Sequence, residues 1–224
     1  MKKYLKDYFS FSLIEKENEY ARDLIFKYFY IFFSLPLLKL FLKTTWSPLQ
    51  ITLLSIFLGF IGALLFLFGD YYYLVAGVFF LNLSLILDKV DGQVARLKKQ
   101  TSKFGGWLDS LGDVLLIEFY FAFLAIGTYL NDHDPNILIF ALACSVHFLL
   151  AIQVMHTKVI FGFKDLKEVK YGNNYVGLIS SLHVYLSIGC LLDQVHYALL
   201  LFSLLGFFIW IPSSVRVYKK FKDL

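Results

Sequence analysis

Asp88, Asp91, Asp109 and Asp113 stand between strongly apolar segments in LILDKVDGQVARLKKQTSKFGGWLDSLGDVLLIEF, residues 85–119. Four carboxylates brought together repel one another, and solvation beside lipid is poor. Cations among them relieve both penalties. Clustered carboxylates without cysteine or a paired histidine suit hard, oxygen-seeking ions, Mg²⁺ or Mn²⁺. Two such ions commonly clamp a phosphoryl group during in-line displacement. Arg96 adds a fixed cation suited to phosphate, and Lys98, Lys99, Ser102 and Lys103 crowd the same mouth.

Helices must hold these acids. At about 100° per residue, Asp88, Asp91, Gly92 and Ala95 share one arc of a helix, with Arg96 at its edge. Two residues with almost no side chain beside two acids leave room for a ligand against the backbone. Asp109 and Asp113 are i and i+4, so they share a face on the first turns of the next helix. The short loop KKQTSKF makes the two helices antiparallel neighbours, and the two acid faces then meet at one depth.

The rest of the chain is a bilayer protein. Of 224 residues, 58% are hydrophobic and 17% charged, against roughly a quarter charged in soluble domains. Apolar runs of bilayer length separate bursts of charge. The runs do not alternate, which excludes a β-barrel. The fold class expected is all-α and polytopic, with six transmembrane helices near 50–69, 72–96, 104–130, 135–157, 175–192 and 196–217. Residues 1–47 hold eight Lys or Arg, the 2–3 connection five, the 4–5 connection four and the C-terminus four. Those are all 21, on one side of a six-span chain, which the positive-inside rule makes cytoplasmic together with both termini. Residues 24–42 contain Lys27, Pro36 and Lys39 and read as an amphipathic helix lying in the interface rather than a further span. The expected division is a cytoplasmic segment over 1–47, a membrane domain over 48–217 and a tail over 218–224. The first twenty residues lack a continuous apolar stretch and a small-residue cleavage site, so no secretory signal is expected. Cys144 and Cys190 read as small core residues.

The pattern Asp88-x2-Asp91-Gly92-x2-Ala95-Arg96-x8-Gly105-x3-Asp109-x3-Asp113 resembles the signature of the CDP-alcohol phosphotransferase family, with all eight fixed residues present over 26 positions. Upstream, SPLQIT (47–52) resembles the family's Pro-Asn-x-x-Thr entry to its first span. Pro48 and Thr52 match, while Leu49 stands where asparagine is usual, a departure that bears on nucleotide contacts. The resemblance implies transfer of a substituted phosphate, phosphatidyl or similar, from a CDP-linked lipid or CDP-alcohol donor to an acceptor alcohol, with release of CMP, in phospholipid biosynthesis. It implies two ions, Mg²⁺ or Mn²⁺, with Asp88, Asp91 and Asp109 as ligands. Asp113 is implied as general base within the same metal shell. Thr52, Gly92, Ala95, Arg96, Ser102 and Gly105 are implied for CDP binding. For a phosphorylated acceptor it offers Lys158, Lys164 and Arg216. It allows a homodimer. Membrane lipids are the expected surroundings, the active site lies at the cytoplasmic face, and nucleic acid is not an expected partner.

Other readings compete. A solvated loop explains the lysines but not Asp109 and Asp113, which precede a long apolar run. A divalent-cation transport protein would place its acids near the midplane with a path to both faces. An inactive nucleotide-binding relative is the third reading. Glu118 lies half a turn round from Asp109 and reads as a hydrogen-bond partner for a neighbouring span or subunit. His147, His156 and His183 read as satisfied core or interface histidines.

Overall fold

The computed structural model describes residues 31–161, 170–171, 174–175 and 178–222. Its first described helix, α1 (Ile31–Lys43), carries Pro36 inside it. The second starts on a local signal. Ser47 Oγ accepts from the Gln50 amide, the Gln50 side chain accepts from the Ser47 amide at 2.8 Å, and Pro48 takes the first helical position, opening α2 (Pro48–Phe66). Gly69, at φ +69°, turns the chain into α3 (Tyr71–Leu97). Ser102 caps α4 (Lys103–Asp132) by accepting from Gly105 N at 2.9 Å. His133, at φ 56°, closes α4 in the left-handed conformation. After it come α5 (Asn136–Ile160), a two-strand ribbon of β1 (Lys170–Tyr171) antiparallel to β2 (Asn174–Tyr175), then α6 (Leu178–Leu191), α7 (Val195–Leu205) and α8 (Phe207–Lys222).

Small residues let α2 and α3 lie against each other. Ser55 Oγ donates to Ser84 O and Ser84 Oγ to Ser55 O, each at 2.8 Å. A Cβ on Gly62 would stand 3.0 Å from Gly77 O. Such close approach suits helices in lipid, where association depends on packing and hydrogen bonds rather than on the hydrophobic effect. α4 crosses α2, with Tyr120 OH donating to Gly59 O at 3.0 Å. α3 meets α6 through Asn82 Nδ2, which donates to Ser187 Oγ at 3.2 Å. His147 ties α5 to the last two helices: Trp210 Nε1 donates to Nδ1, so Nε2 carries the proton toward Ser203 O, both at 3.0 Å.

Two buried clusters result. The larger joins α2 to α7 around Phe66, Tyr120, Phe121 and Phe148. The smaller joins Leu38 and Phe41 of α1 to Ile51, Leu87, Val90 and Val94, beside the acid-bearing end of α3. Lys98 Nζ fastens this corner by donating to the carbonyls of Phe41, Thr44 and Trp46 at 3.3, 3.2 and 2.7 Å.

Among the described residues, five stretches are long and apolar enough to cross a membrane: Pro48–Phe66, Tyr71–Leu97, Lys103–Asp132, Asn136–Val154 and Val195–Lys222. The outward faces carry large apolar side chains such as Phe57, Phe79, Leu142 and Leu204. The protein is thus integral to a membrane, as its composition requires. The expected fifth span, 175–192, is seen as the 14-residue α6, shorter than the roughly 20 residues of an ordinary span. The expected sixth span runs through α7 and α8. Gly206 between them keeps helical angles and bonds its amide to Phe202 O at 2.9 Å. Of the interfacial helix expected over 24–42, the part from Ile31 onward is helical. Residues 24–30, the first twenty residues and Lys164 lie outside the described residues. The ribbon was not expected from the sequence.

Candidate active site

α3 and α4 deliver the acids to one place. Carboxylate oxygens of Asp88, Asp91 and Asp109 all fall within 4.8 Å of one another. Asp113, one turn further along α4 than Asp109, lines the same pocket with Thr52, Asp88 and Asp109. Gly112 makes this crossing tight, since a Cβ there would stand 2.7 Å from the Ile56 side chain of α2. Asp91 is buried, and its Oδ2 accepts a hydrogen bond from Thr52 Oγ1. Thr52 thereby holds a carboxylate rather than facing open space.

Among the described residues, a lysine stands as a counter-charge to the acid cluster. Lys89 Nζ pairs with Asp88 Oδ2 at 2.6 Å. From the sequence Lys89 reads only as one of the cytoplasmic cations. Its neighbour in sequence, Asp88, was the available signal, but residues one apart on a helix normally face different ways. A long lysine stem bridges that gap. Asp88 and Asp109 lie within hydrogen-bond reach of each other. Asp109 Oδ1 is buried with no hydrogen-bond partner among the described residues. Three converging carboxylates, a fourth in the same pocket and an orphaned buried oxygen fit a divalent ion with oxygen ligands.

The other expected residues spread outward from the acids. A Cβ on Gly92 would stand 3.3 Å from Arg96 Nη1, so the guanidinium lies over the glycine. Ala95 is half-buried between them and the helix end. Ser102 and Gly105 are joined to each other as the α4 cap, a structural task that the sequence reading had not given them. Arg216 sits half-buried on α8, which packs chiefly on α5 and α7. Lys158 lies near the end of α5. Glu118 accepts from Ser145 Oγ of α5, so it does bond to a neighbouring helix. His147 is satisfied on both nitrogens. His183 is different. It is buried against the acid pocket, and its Nδ1 has no partner among the described residues.

A family model described as CDP-alcohol phosphatidyltransferase matches residues 45–211. The chain belongs to this family. Its similarity to curated members is confined to short stretches. It is 38% identical over 73 residues to the bifunctional IPC transferase and DIPP synthase of Aquifex aeolicus, covering 33% of this chain and 16% of that protein. It is 44% identical over 68 residues to a CDP-diacylglycerol–serine O-phosphatidyltransferase of Helicobacter pylori, covering 30% of this chain and 27% of that one. The chain therefore matches well under a third of the length of these relatives. The fold is similar to that of Mycobacterium tuberculosis phosphatidylinositol phosphate synthase with CDP-DAG bound. That match has a TM-score of 0.67 at 18% identity, over 83% of this chain and 93% of the synthase. The same synthase in complex with manganese and citrate matches with a TM-score of 0.64 at 18% identity, over 83% of this chain and 88% of that one. Within the CDP-alcohol phosphatidyltransferase fold, this chain's acid cluster is one that could hold a metal ion.

Proposed function

We propose that the protein transfers a substituted phosphate from a CDP-linked donor to an acceptor alcohol and releases CMP. The convergence of Asp88, Asp91 and Asp109 within 4.8 Å, with Asp113 in the same pocket, carries this reading. Family membership supports it.

Asp88, Asp91, Asp109 and Asp113 would hold two ions, Mg²⁺ or Mn²⁺. When bound, these ions supply charge neutralisation on the attacking and leaving oxygens. Thr52 keeps Asp91 turned toward its partners. Gly92 and Ala95 leave space for the nucleotide against the helix, and Arg96 offers a fork of donors to its diphosphate. Asp113 takes the proton from the acceptor hydroxyl as that oxygen attacks phosphorus. The bond between phosphorus and the CMP oxygen breaks in line, and CMP leaves. The site lies at the cytoplasmic face with both termini inside. The gathering of all 21 Lys and Arg on one side of six spans supports that placement.

The test is CMP release by the purified chain in nanodiscs. The assay contains CDP-diacylglycerol, Mn²⁺ or Mg²⁺, and glycerol phosphate, inositol phosphate, serine or a lipid alcohol. CMP that appears with one acceptor and vanishes with chelator or with Asp109→Ala is the expected result. Ion flux in liposomes with no CMP from CDP-diacylglycerol or soluble CDP-alcohols would replace this reading with transport.

A further inference from the structure

His183 comes from α6, outside the aspartate pattern, and is 2% exposed. It lines the acid pocket together with Asp88, Asp109, Asp113, Ser84 and Tyr120. Its Nδ1 is buried without a hydrogen-bond partner among the described residues. His147 gives the contrast. It is buried to a similar degree, and both of its nitrogens are used. A buried polar nitrogen without a partner is costly, and one aimed into a cavity is satisfied when a ligand arrives.

Of α3, the pocket is lined by Ser84, Leu85 and Asp88. Gly92 to Arg96 lie outside it, roughly one to two turns beyond Asp88 toward the Leu97 end, and Ser84 lies about one turn the other way. Asp113 is likewise about one turn further into the molecule than Asp109. In-line displacement puts the attacking oxygen and the leaving CMP on opposite sides of phosphorus. With the nucleotide at the Gly92–Arg96 end and the base at Asp113, the acceptor occupies the inner end, where His183 and Ser84 project. Tyr120 lines the same end, but its hydroxyl is committed to Gly59 O. Ser84 Oγ is committed to Ser55 O. His183 lines this end too, and it carries a buried nitrogen, Nδ1, with no partner among the described residues.

We propose that His183 reads the acceptor. Its Nδ1 forms a hydrogen bond with a second polar group of the alcohol, beside the hydroxyl that Asp113 deprotonates. The acceptor class is then an alcohol with a neighbouring hydroxyl, amine or acid group rather than a plain aliphatic alcohol. This inference rests on the transferase reading above.

Steady-state kinetics test it, using the full chain in nanodiscs with Mn²⁺, CDP-diacylglycerol and whichever of serine, glycerol phosphate or inositol phosphate supports CMP release. His183→Leu should raise the KM for that acceptor by about tenfold or more and leave the KM for CDP-diacylglycerol within about twofold. His183→Asn places an amide where Nδ1 stands and should recover most of the loss. His183→Gln places its amide one atom further out and should not. An unchanged acceptor KM in folded His183→Leu, or equal rises for both substrates, overturns the proposal. If His183→Leu does not fold, the Asn and Gln variants decide, and equal acceptor KM values in the two overturn it. A wild-type chain that releases CMP while these variants match it would sink this inference alone. No CMP from the wild type with any acceptor would sink the transferase reading and this inference with it.

Discussion

Asp113 and Lys89 stand beside the same acids with opposite charges, and their substitution separates two roles. Asp113→Asn keeps the size of the side chain and removes the proton acceptor. We expect kcat for CMP release to fall by about 10²–10⁴-fold, while CDP-diacylglycerol still raises the thermal midpoint. Normal turnover by a metal-loaded Asp113→Asn protein would show that another group takes the proton. Lys89 is paired with Asp88, so an incoming divalent ion must compete with its ammonium. Lys89→Met should tighten Mn²⁺ binding by about tenfold or more, through loss of a like charge a few ångströms away. Titration of Mn²⁺ by its electron spin resonance signal reads this without any turnover, and weaker binding would mean that Lys89 supports the site. The acids were legible in the sequence because identical residue types recurred at helical spacing. Lys89 was not, because one cation among five in a basic connection has no pattern to mark it. His183 was not, because its open nitrogen is a property of what surrounds it.

Helix contacts set where these residues stand. Gly127 of α4 lies so close to the end of α2 that a Cβ would come 2.0 Å from Phe66 O. Gly127→Ala forces the helices apart and should cost about 1–3 kcal/mol, read as a lower thermal midpoint in detergent, with an unchanged midpoint counting against the packing described. Lys98 makes a different kind of join. Its three bonds to main-chain carbonyls hold α1 and the Thr44–Trp46 linker to the end of α3. Lys98→Met should speed hydrogen exchange across residues 31–46 and leave α2 protected, as expected when local contacts rather than the whole fold are lost. A loop lysine of this kind looks in the sequence like a topological charge. The starts of α2 and α4 fall within two residues of the expected ones because the apolar runs begin there, while the caps at Ser47 and Ser102 are seen in the structure. The start of the fifth expected span was less readable, because the segment before α6 mixes Lys, Asn and Gly with aromatics.

The whole molecule is ordered by its charges and its apolar runs. The proposed arrangement, six spans with both termini inside, would put Asp193 and Lys99 on opposite faces. In inside-out-free, sealed cells, a maleimide that cannot cross the membrane should label Asp193→Cys at once and Lys99→Cys only after permeabilisation. Labelling of both from outside, or the reverse order, would refute the proposed orientation. Hydropathy made the polytopic helical fold readable, because the bilayer imposes segment length directly on the sequence; the orientation proposed from the cation count is what the labelling tests. What they leave out is which helix touches which. That depends on Gly62 against Gly77, Asn82 against Ser187 and His147 between Trp210 and Ser203.

The paired serines between α2 and α3 have a mechanical consequence. Sliding either helix along the other by one residue would break both Ser55–Ser84 bonds at once, and the Gly62–Gly77 approach leaves no room for tilting. These two helices therefore move as one stiff plank. α6 is shorter and meets α3 through Asn82, so on the transferase reading a widening that admits a lipid donor would be expected at α6. Spin labels on α2 and α3 should keep one sharp separation when a lipid donor is added, while a pair spanning α3 and α6 broadens or shifts.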